Sequence, residues 1–252
     1  IIYLDSWISP AYSLNKGAKA ARGKKIALMN ADDIADHERF KLQLEYMDKY
    51  SLDICGSCYK YFGVREDIIW CPQSHGAIAI EMLFRIIVVA SATMARASII
   101  KNNPYDNNFL LDDYEWPARM IHKAKIGNVP HILLKRRSYK EQLTSIKKGQ
   151  IAAEFKKCRF KYFYSRYPNA TMKDAATFAR IAEKSPMTNI PQLQRAGQWL
   201  VDLANYPDPE LVKKMILRWQ ETCEISKCLG DKTKAVFHKY MNMLEPIQKI
   251  IS

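Results

Sequence analysis

A short apolar run that ends in two adjacent carboxylates constrains the fold of this chain more than any other feature. The run covers residues 26–29, and Asn30-Ala31-Asp32-Asp33 follow it directly. Four apolar residues in succession are typical of a strand buried on both faces of an α/β sheet, and such sheets bind ligands outside the carboxyl ends of their strands. We therefore expect a central strand here, with Asp32 and Asp33 beside a ligand.

Two explanations of this acidic pair stay open on the residues alone. Adjacent carboxylates repel each other unless a cation or hydrogen-bond donors compensate, which favours a divalent ion with oxygen ligands at Asp32 and Asp33. Alternatively, one of the two caps a helix over residues 34–50, because Asp is favoured at helix N-termini. Both explanations predict a helix directly after the pair.

Composition restricts the class of protein and of partner. The 252 residues are 48% hydrophobic and 26% charged, which is enough for one large or two small globular domains. No apolar run reaches the roughly 18 residues of a membrane-spanning helix. A formal net charge of +13 favours anionic partners such as sugar-nucleotide diphosphates or phospholipid headgroups. Specific nucleic-acid recognition is not expected, because no nucleic-acid-binding motif accompanies the charge.

The six cysteines do not form a recognisable metal site. Cys55-Gly56-Ser57-Cys58 has the spacing of a redox or zinc half-site, but no second pair and no nearby His completes it. The segment lies in a strand-like run over residues 52–62. We therefore expect six reduced structural thiols in a protein that faces the cytosol.

The chain changes character at about residue 149. Strand-like patterns give way to five helical segments, which are separated by the helix breakers Pro168, Pro186, Pro191, Pro207 and Gly230. Within the first of these helices, residues 155–164 interleave basic and aromatic side chains. This segment is either a contact with an acidic membrane surface or a core-facing aromatic stripe with a solvated basic face. Residues 149–252 are thus predicted to form a separate helical region.

Several motifs, taken together, resemble the family 2 glycosyltransferases of the GT-A fold. Each is short, but their order and spacing match the family pattern N-x-G, A-x-G-x-Y-I, D-A-D-D, a helix with Gln, and an acidic pair before an aromatic-rich helix. The matching residues are Asn15-Lys16-Gly17, Ala21 to Ile26, Asn30 to Ile34, Phe40, Gln43, Met47, Thr93 to Arg96, Tyr105-Asp106 and Leu111 to Trp116. The resemblance implies that residues 1–148 form a GT-A-like, mostly parallel α/β sheet flanked by helices and incomplete at its N-terminus.

The resemblance also implies a reaction. Family members of the inverting type move a sugar from a nucleotide-sugar donor to a hydroxyl, here of a surface glycan or lipid-linked saccharide in polysaccharide biosynthesis. Asp32, supported by Asp33, would hold Mn²⁺ or Mg²⁺ on the diphosphate, and Asp113 would be the general base. Asn30 and Arg137 occupy donor-side positions of the pattern. Arg22, just before the apolar run, either meets the diphosphate or belongs to a solvated charge cluster.

Three departures from the family pattern weaken this assignment. Asn30 replaces the first Asp of D-x-D, and Tyr139 stands where family members often have a metal-binding His. An amide lacks charge and a phenol is a poor ligand at neutral pH, so a weakened metal site is expected. The family's nucleotide-binding unit is not matched upstream of Asn15. The first four residues are strand-like and lack signal-peptide features. A non-catalytic binding or assembly module is therefore the alternative, and the expected location of either is the cytoplasm or the inner face of the membrane.

Overall fold

The structure, a computed structural model, describes residues 8–251, apart from the side chains of Thr144 and Ile251. The strand-like residues 1–4 lie outside this range. The described chain divides into two compact units, of which the first comprises residues 8–82 and 86–159 and the second residues 83–85 and 160–251. The boundary predicted at residue 149 falls at the beginning of a helix that contributes residues to both units, and it stays a prediction.

Unit 1 is an α/β unit, as predicted. Its strands are β1 (Lys25–Ala27), β2 (Ile34–Ala35), β3 (Ile54–Gly63), β4 (Ile68–Ile69), β5 (Met94–Arg96) and β6 (Ile126–Ser138). Its helices are α1 (Pro10–Ala20), α2 (Arg39–Tyr50), α3 (His75–Glu81), α4 (Ala97–Asn102), α5 (Asp112–Met120), α6 (Leu143–Ile146) and the first part of α7 (Lys148–Arg166), and a 3₁₀ turn covers Ala90–Ala92.

The direction of the strands corrects the predicted, mostly parallel sheet. The strands lie in the order β1-β5-β3-β6-β2, with β4 paired to β3. Among the described residues the long β3–β6 ladder is the one parallel pair, and the other four pairs are antiparallel. The apolar patterns located β3 and β6, but a hydrophobic pattern carries no information on strand direction. Two-residue strands such as β2 and β4 have no detectable period at all.

Strand β1 was predicted to be central and buried on both faces, and the structure shows neither property. It lies at one end of the described strand order. Ile26 and Leu28 are buried, whereas Ala27 is exposed and Met29 is 41% exposed. The apolar run therefore alternates between core and solvent, as in a strand with one buried face. The Leu28 N–H donates to the Thr93 carbonyl at 2.9 Å and continues the pairing of β1 with β5.

The segment after the acidic pair corrects a second prediction. Residues 34–35 form β2, which pairs with β6, and helix α2 begins five residues later than predicted. Glu38 is the N-cap residue of α2 and makes no side-chain capping bond. Asp32 and Asp33 are therefore not helix caps, and the simpler explanation of the pair is wrong for this structure.

The core of unit 1 forms on both faces of the sheet. On one face, Leu42 and Tyr46 of α2 pack on buried residues that include Cys55 and Leu133. On the other, Leu134 belongs to a second cluster together with Val89, which precedes the 3₁₀ turn, and Ala92, the last residue of that turn. All six cysteines are free thiols, and five of them are buried, which fits the structural role that was expected.

Unit 2 is helical, as predicted. Beyond α7 it contains α8 (Met172–Ala182), α9 (Ile190–Ala204), α10 (Pro209–Ile225) and α11 (Lys232–Ile251). In the basic and aromatic segment 155–164, Tyr162 and Phe163 are buried, and the Phe155 ring packs against Tyr114 within unit 1. These contacts favour the core-facing alternative for that segment. No helix within residues 8–251 is long and apolar enough to cross a bilayer.

Candidate active site

The loop after β1 is fastened to the end of β6 by Arg137. The Arg137 backbone N–H donates to Asp33 Oδ1 at 2.9 Å, and its Nε donates to the Asp32 carbonyl at 3.0 Å. These bonds continue the antiparallel β2–β6 ladder, in which Ile34 pairs with Lys135. The fold thus brings together the predicted site residues Asp32, Asp33 and Arg137.

One oxygen of this loop has no partner. Asp33 Oδ2 is buried and accepts no hydrogen bond from any residue that the structure describes. A buried carboxylate oxygen without a donor is costly, and such groups are frequent at functional sites. Asp33 Oδ2 is therefore available to a ligand that the polypeptide does not provide.

The other carboxylate of the pair, that of Asp32, interacts with Tyr139. Its hydroxyl donates to the Asp32 side chain, and the pKa of Tyr139 is raised, mainly by the negative charge of Asp32. Tyr139 is thus a neutral donor at the position where a family pattern has His.

A divalent cation fits this loop only in combination with phosphate oxygens. The described residues contain no cluster of three or more His, Cys, Asp or Glu side chains that could hold a metal ion. Asp32 and the unpartnered oxygen of Asp33 provide two carboxylates. Mg²⁺ is commonly bound by one or two carboxylates together with substrate phosphates, so this set fits a cation that arrives with a diphosphate.

The second acidic pair begins helix α5. Asp113 Oδ1 accepts a hydrogen bond from the Ala90 N–H, and Asp113 Oδ2 lies 3.2 Å from Arg136 Nη2. The Asp113 side chain is 14% exposed. Two donors therefore fix the orientation of this carboxylate.

Asp112 lies in a different environment from its neighbour. It accepts the Asp113 N–H at 2.9 Å. Burial, followed by the charge of Asp113, raises the pKa of Asp112 to about 7. The acidic pair therefore holds one carboxylate that takes up a proton near neutral pH beside one that is paired with an arginine.

The 3₁₀ turn links the two segments that carry the acidic pairs. Burial alone lowers the pKa of Arg136, but the charges of Asp113 and Asp33, among others, raise it above its usual value. The Asn30 N–H donates to Ser91 Oγ at 3.2 Å, while Asp113 binds the preceding residue, Ala90. Consecutive Cα atoms are about 3.8 Å apart. Asn30 and Asp113 are thus anchored to the same turn.

Arg22 is not part of this cluster. It precedes β1, whereas Asn30, Asp32 and Asp33 follow it, and its side chain is exposed. Within residues 8–251, no hydrogen bond or ion pair connects Arg22 with either acidic pair. Its contact with a diphosphate stays a prediction. The exposed side chain fits the alternative, in which Arg22 belongs to a solvated charge cluster.

Two buried residues that we did not predict as site residues, Arg39 and Gln43, bind backbone carbonyls next to this loop. Arg39 Nη2 donates to the carbonyls of Leu28 and Thr93 at 2.9 and 3.3 Å, and burial lowers its pKa to about 10. Gln43 accepts from Arg39 Nε and donates to the Ala92 carbonyl at 2.8 Å. The i, i+4 spacing of Arg39 and Gln43 indicates that their side chains can meet on a helix. Nothing in the sequence showed that both side chains are buried.

Comparisons with known proteins agree with this geometry. Residues 6–102 match the model of the family described as Glycosyl transferase family 2. This part of the chain is therefore similar to a family 2 glycosyltransferase domain. An uncharacterised glycosyltransferase of Methanocaldococcus jannaschii is 29% identical over 148 residues, which cover 55% of this chain and 51% of that protein. The chain thus spans about half the length of this curated relative.

Solved structures share the fold at low sequence identity. S. aureus TarS 1-349 matches with a TM-score of 0.51 and 11% identity, over 98% of this chain and 72% of that one. The crystal structure of TarS 1-349 in complex with UDP-GlcNAc matches with a TM-score of 0.52 and 12% identity, over 98% and 73% of the two chains. The predicted GT-A-like fold, followed by helices, is thereby confirmed.

Proposed function

We propose that this chain is an inverting glycosyltransferase that moves a sugar from a nucleotide-sugar donor to a hydroxyl of a surface glycan or lipid-linked saccharide. The observation that carries the proposal is that the segments of the two acidic pairs are anchored to one 3₁₀ turn, where Asp113 also forms an ion pair with Arg136. An acid-rich loop for a diphosphate and a fixed carboxylate for an acceptor are the two parts that such a transfer needs. The UDP-GlcNAc complex of TarS supports a nucleotide sugar as the donor class.

In this mechanism Asp113 is the general base. It accepts the proton of the acceptor hydroxyl while the hydroxyl oxygen attacks the anomeric carbon from the side opposite the diphosphate. The bond from that carbon to the diphosphate oxygen breaks, and the configuration inverts. Arg136 and the Ala90 N–H hold the Asp113 carboxylate in place, so little reorganisation is needed during the reaction.

On the donor side, Asp32 and Asp33 would hold a divalent cation together with the diphosphate, and Arg137 and Asn30 would line the same loop. When bound, Mn²⁺ or Mg²⁺ neutralises charge that develops on the leaving diphosphate. The guanidinium of Arg137 suits phosphate oxygens, since it can donate two parallel hydrogen bonds. Arg137 already lies on the loop, with Nε on the Asp32 carbonyl.

The proposal is tested first at Asp113. Removal of a general base typically reduces turnover on the order of 10² to 10⁴-fold. We expect this loss in Asp113→Asn, measured as nucleoside diphosphate released from a panel of nucleotide sugars with saccharide acceptors. The matched control is Asp202→Asn, an exposed carboxylate of unit 2 that accepts one hydrogen bond from Gln198, and it should retain full turnover.

Two further measurements keep this test decisive. UDP binding should be nearly unchanged in Asp113→Asn, because Asn retains the oxygen that accepts the Ala90 N–H. Thermal unfolding should show that the variant is folded but less stable, because Arg136 loses its charged partner. Near-normal turnover of this variant would remove Asp113 from the mechanism. A wild-type chain without turnover on any donor would favour the alternative, a non-catalytic binding module.

The donor loop makes a separate prediction about cations. Two carboxylates, one of them already hydrogen-bonded to Tyr139, should bind Mn²⁺ weakly alone and more tightly once diphosphate oxygens complete the coordination shell. Calorimetric titration with Mn²⁺ in the absence and presence of UDP measures this difference. Equal affinity in the two titrations, or no binding in either, would show that the loop does not hold a cation.

The non-catalytic alternative also has structural support. Asn30 provides no charge for a cation, and a hydrogen bond from Tyr139 occupies part of the Asp32 carboxylate. Both oxygens of Asp113 already have partners. Such a module would bind UDP or a nucleotide sugar in calorimetry and release no nucleoside diphosphate. The two candidate functions therefore differ in turnover rather than in binding.

A further inference from the structure

One face of the sheet continues beyond the helix that covers it. Helix α2 packs on the face formed by β3 and β6 as far as Leu133, which is buried. Lys135 and Arg137, at alternate positions further along β6, are exposed. Side chains two residues apart in a strand share a face. No described element therefore covers this face after Leu133.

The strand register places four side chains in one row across this face. Ile68 of β4 pairs with Lys60 of β3, Lys60 pairs with Lys135 of β6, and Lys135 pairs with Ile34 of β2. Paired residues point to the same side of a sheet, so two ammonium groups lie between two aliphatic side chains. With strands about 4.8 Å apart, the row is about 14 Å wide.

Larger exposed apolar side chains lie on or directly after two elements that contact these strands, α2 and β4. Trp70 follows Ile68 by two residues and is 59% exposed, and Phe40 in the first turn of α2 is 57% exposed. Phe62 is the next residue of β3 on this face after Lys60, and it pairs with Arg137. The Arg137 guanidinium lies 4.6 Å from the centroid of the Phe62 ring. We define the outer patch as Ile34, Phe40, Lys60, Ile68, Trp70 and Lys135.

Alternation separates the outer patch from the interior. The neighbouring residues Tyr59 and Leu134 point to the opposite face and are buried there, and Arg136 on that face pairs with Asp113. The outer patch thus lies on the reverse side of the strands that carry the candidate active site. Arg137 alone belongs to both, since it pairs with Phe62 and donates to the Asp32 carbonyl.

The patch has an unbalanced positive charge. Asp36 and Asp67 lie close to it in sequence, but Asp67 is paired with Arg65, which leaves the charge of Asp36 against those of two lysines. No ion pair of the described residues involves Lys60 or Lys135. The patch therefore combines exposed apolar side chains with cations that have no ion-pair partner in the described part of the chain. It complements a surface that has an apolar interior beneath an anionic outer layer.

We propose that the outer patch binds the surface of a bilayer that contains anionic lipids. Trp70, Phe40 and the two isoleucines enter the region between headgroups and acyl chains, and Lys60 and Lys135 meet lipid phosphates. The contact would hold the chain beside a lipid-linked acceptor. In that respect it rests on the proposed function, but binding itself requires neither donor nor turnover.

Vesicle co-sedimentation tests the proposal on the purified chain. It should bind vesicles of phosphatidylcholine with 30% phosphatidylglycerol, on the order of tenfold or more above pure phosphatidylcholine, given the contribution of each basic residue near an anionic surface. A rise in salt from 0.1 to 0.5 M should weaken binding. Equal binding to both vesicle types, or to neither, would overturn the proposal.

Two variants test the surface itself. Lys60→Gln should lower the partition coefficient about fivefold, since one basic residue is removed. Ile68→Ser should lower it by roughly tenfold through lost apolar burial. The matched control is Lys213→Gln with Leu217→Ser, an exposed basic and apolar pair on α10 that should leave vesicle binding unchanged.

The remaining outcomes decide against the bilayer. A loss of binding in the α10 control but not in the patch variants would assign the contact to another surface. A concentration-dependent dimer in light scattering that Ile68→Ser abolishes would identify the patch as an interface between two copies of the chain. Turnover on a water-soluble acceptor should be unchanged in both patch variants, so failed vesicle binding would leave the proposed function intact.

Discussion

Two helices, one in each unit, carry an aspartate in the first turn, and the pKa values of these two aspartates are shifted in opposite directions. In unit 1, burial and the charge of Asp113 raise the pKa of Asp112 to about 7. In unit 2, Asp174 lies in the first turn of α8, and its pKa is lowered to about 2 although burial alone would raise it. A position at a helix N-terminus therefore does not decide the protonation of a carboxylate.

The number of donors explains the difference. Asp174 accepts the Thr171 N–H and hydroxyl at 2.8 and 2.6 Å, and it pairs with Arg195 at 2.9 Å. Hydrogen bonds to a charged carboxylate lower its pKa. Asp112 accepts the Asp113 N–H and lies beside a second negative charge. The carboxylate of Asp174 is thus fully hydrogen-bonded in its charged form, whereas Asp112 has fewer donors and binds a proton more readily.

The largest expected effect on stability is at Asp112. Its pKa in the folded state, about 7, lies above the ordinary value of 3.8. The folded state holds the proton more tightly, so the contribution of Asp112 to the free energy of unfolding is fully present below about pH 4 and is lost as the pH rises through 7. Asp112→Asn removes this titration. The variant should match wild type near pH 4 and exceed it on the order of 2 kcal/mol at pH 8.

Urea unfolding at pH 4, 6 and 8 measures this difference. The matched control is Asp48→Asn, since Asp48 is 73% exposed and pairs with Lys25 at the surface. Exposed pairs contribute at most about 1 kcal/mol, so its effect should be small and nearly independent of pH. A wild-type chain that gains stability from pH 4 to 8 relative to Asp112→Asn would contradict the comparison.

Features that follow from local patterns were predictable from the sequence. The strand-like runs located β3 and β6, the breakers delimited the five C-terminal helices, and the acidic pair at Asp112 was expected at the start of a helix. These features depend on spacing along the chain. The role of Arg137 was assigned by resemblance, and its place beside Asp32 and Asp33 was observed.

Features that depend on distant residues were not predictable. The helix expected after Asp33 begins later, because residues 34–35 pair with β6, about a hundred positions away. The contact of Arg136 with Asp113 also arises from register, since neighbouring residues of β6 point to opposite faces. No local periodicity encodes either contact. The donors on each carboxylate, which separate Asp112 from Asp174, became visible only in the fold.

The smallest expected effect is at Asp174, and it has the opposite pH dependence. The folded-state pKa, about 2, lies below the ordinary 3.8, so the stabilisation is present above about pH 4 and is lost as the pH falls to 2. Asp174→Asn retains one acceptor for Thr171 but loses the charge that pairs with Arg195. The variant should be about 1 kcal/mol less stable than wild type at pH 7, after allowance for solvent screening, and equal to it near pH 2. Acid titration of the two proteins by circular dichroism checks this, with Asp202→Asn as the exposed control. If Asp174→Asn instead gained stability towards pH 8, as expected for Asp112→Asn, the number of donors would not be what separates the two aspartates.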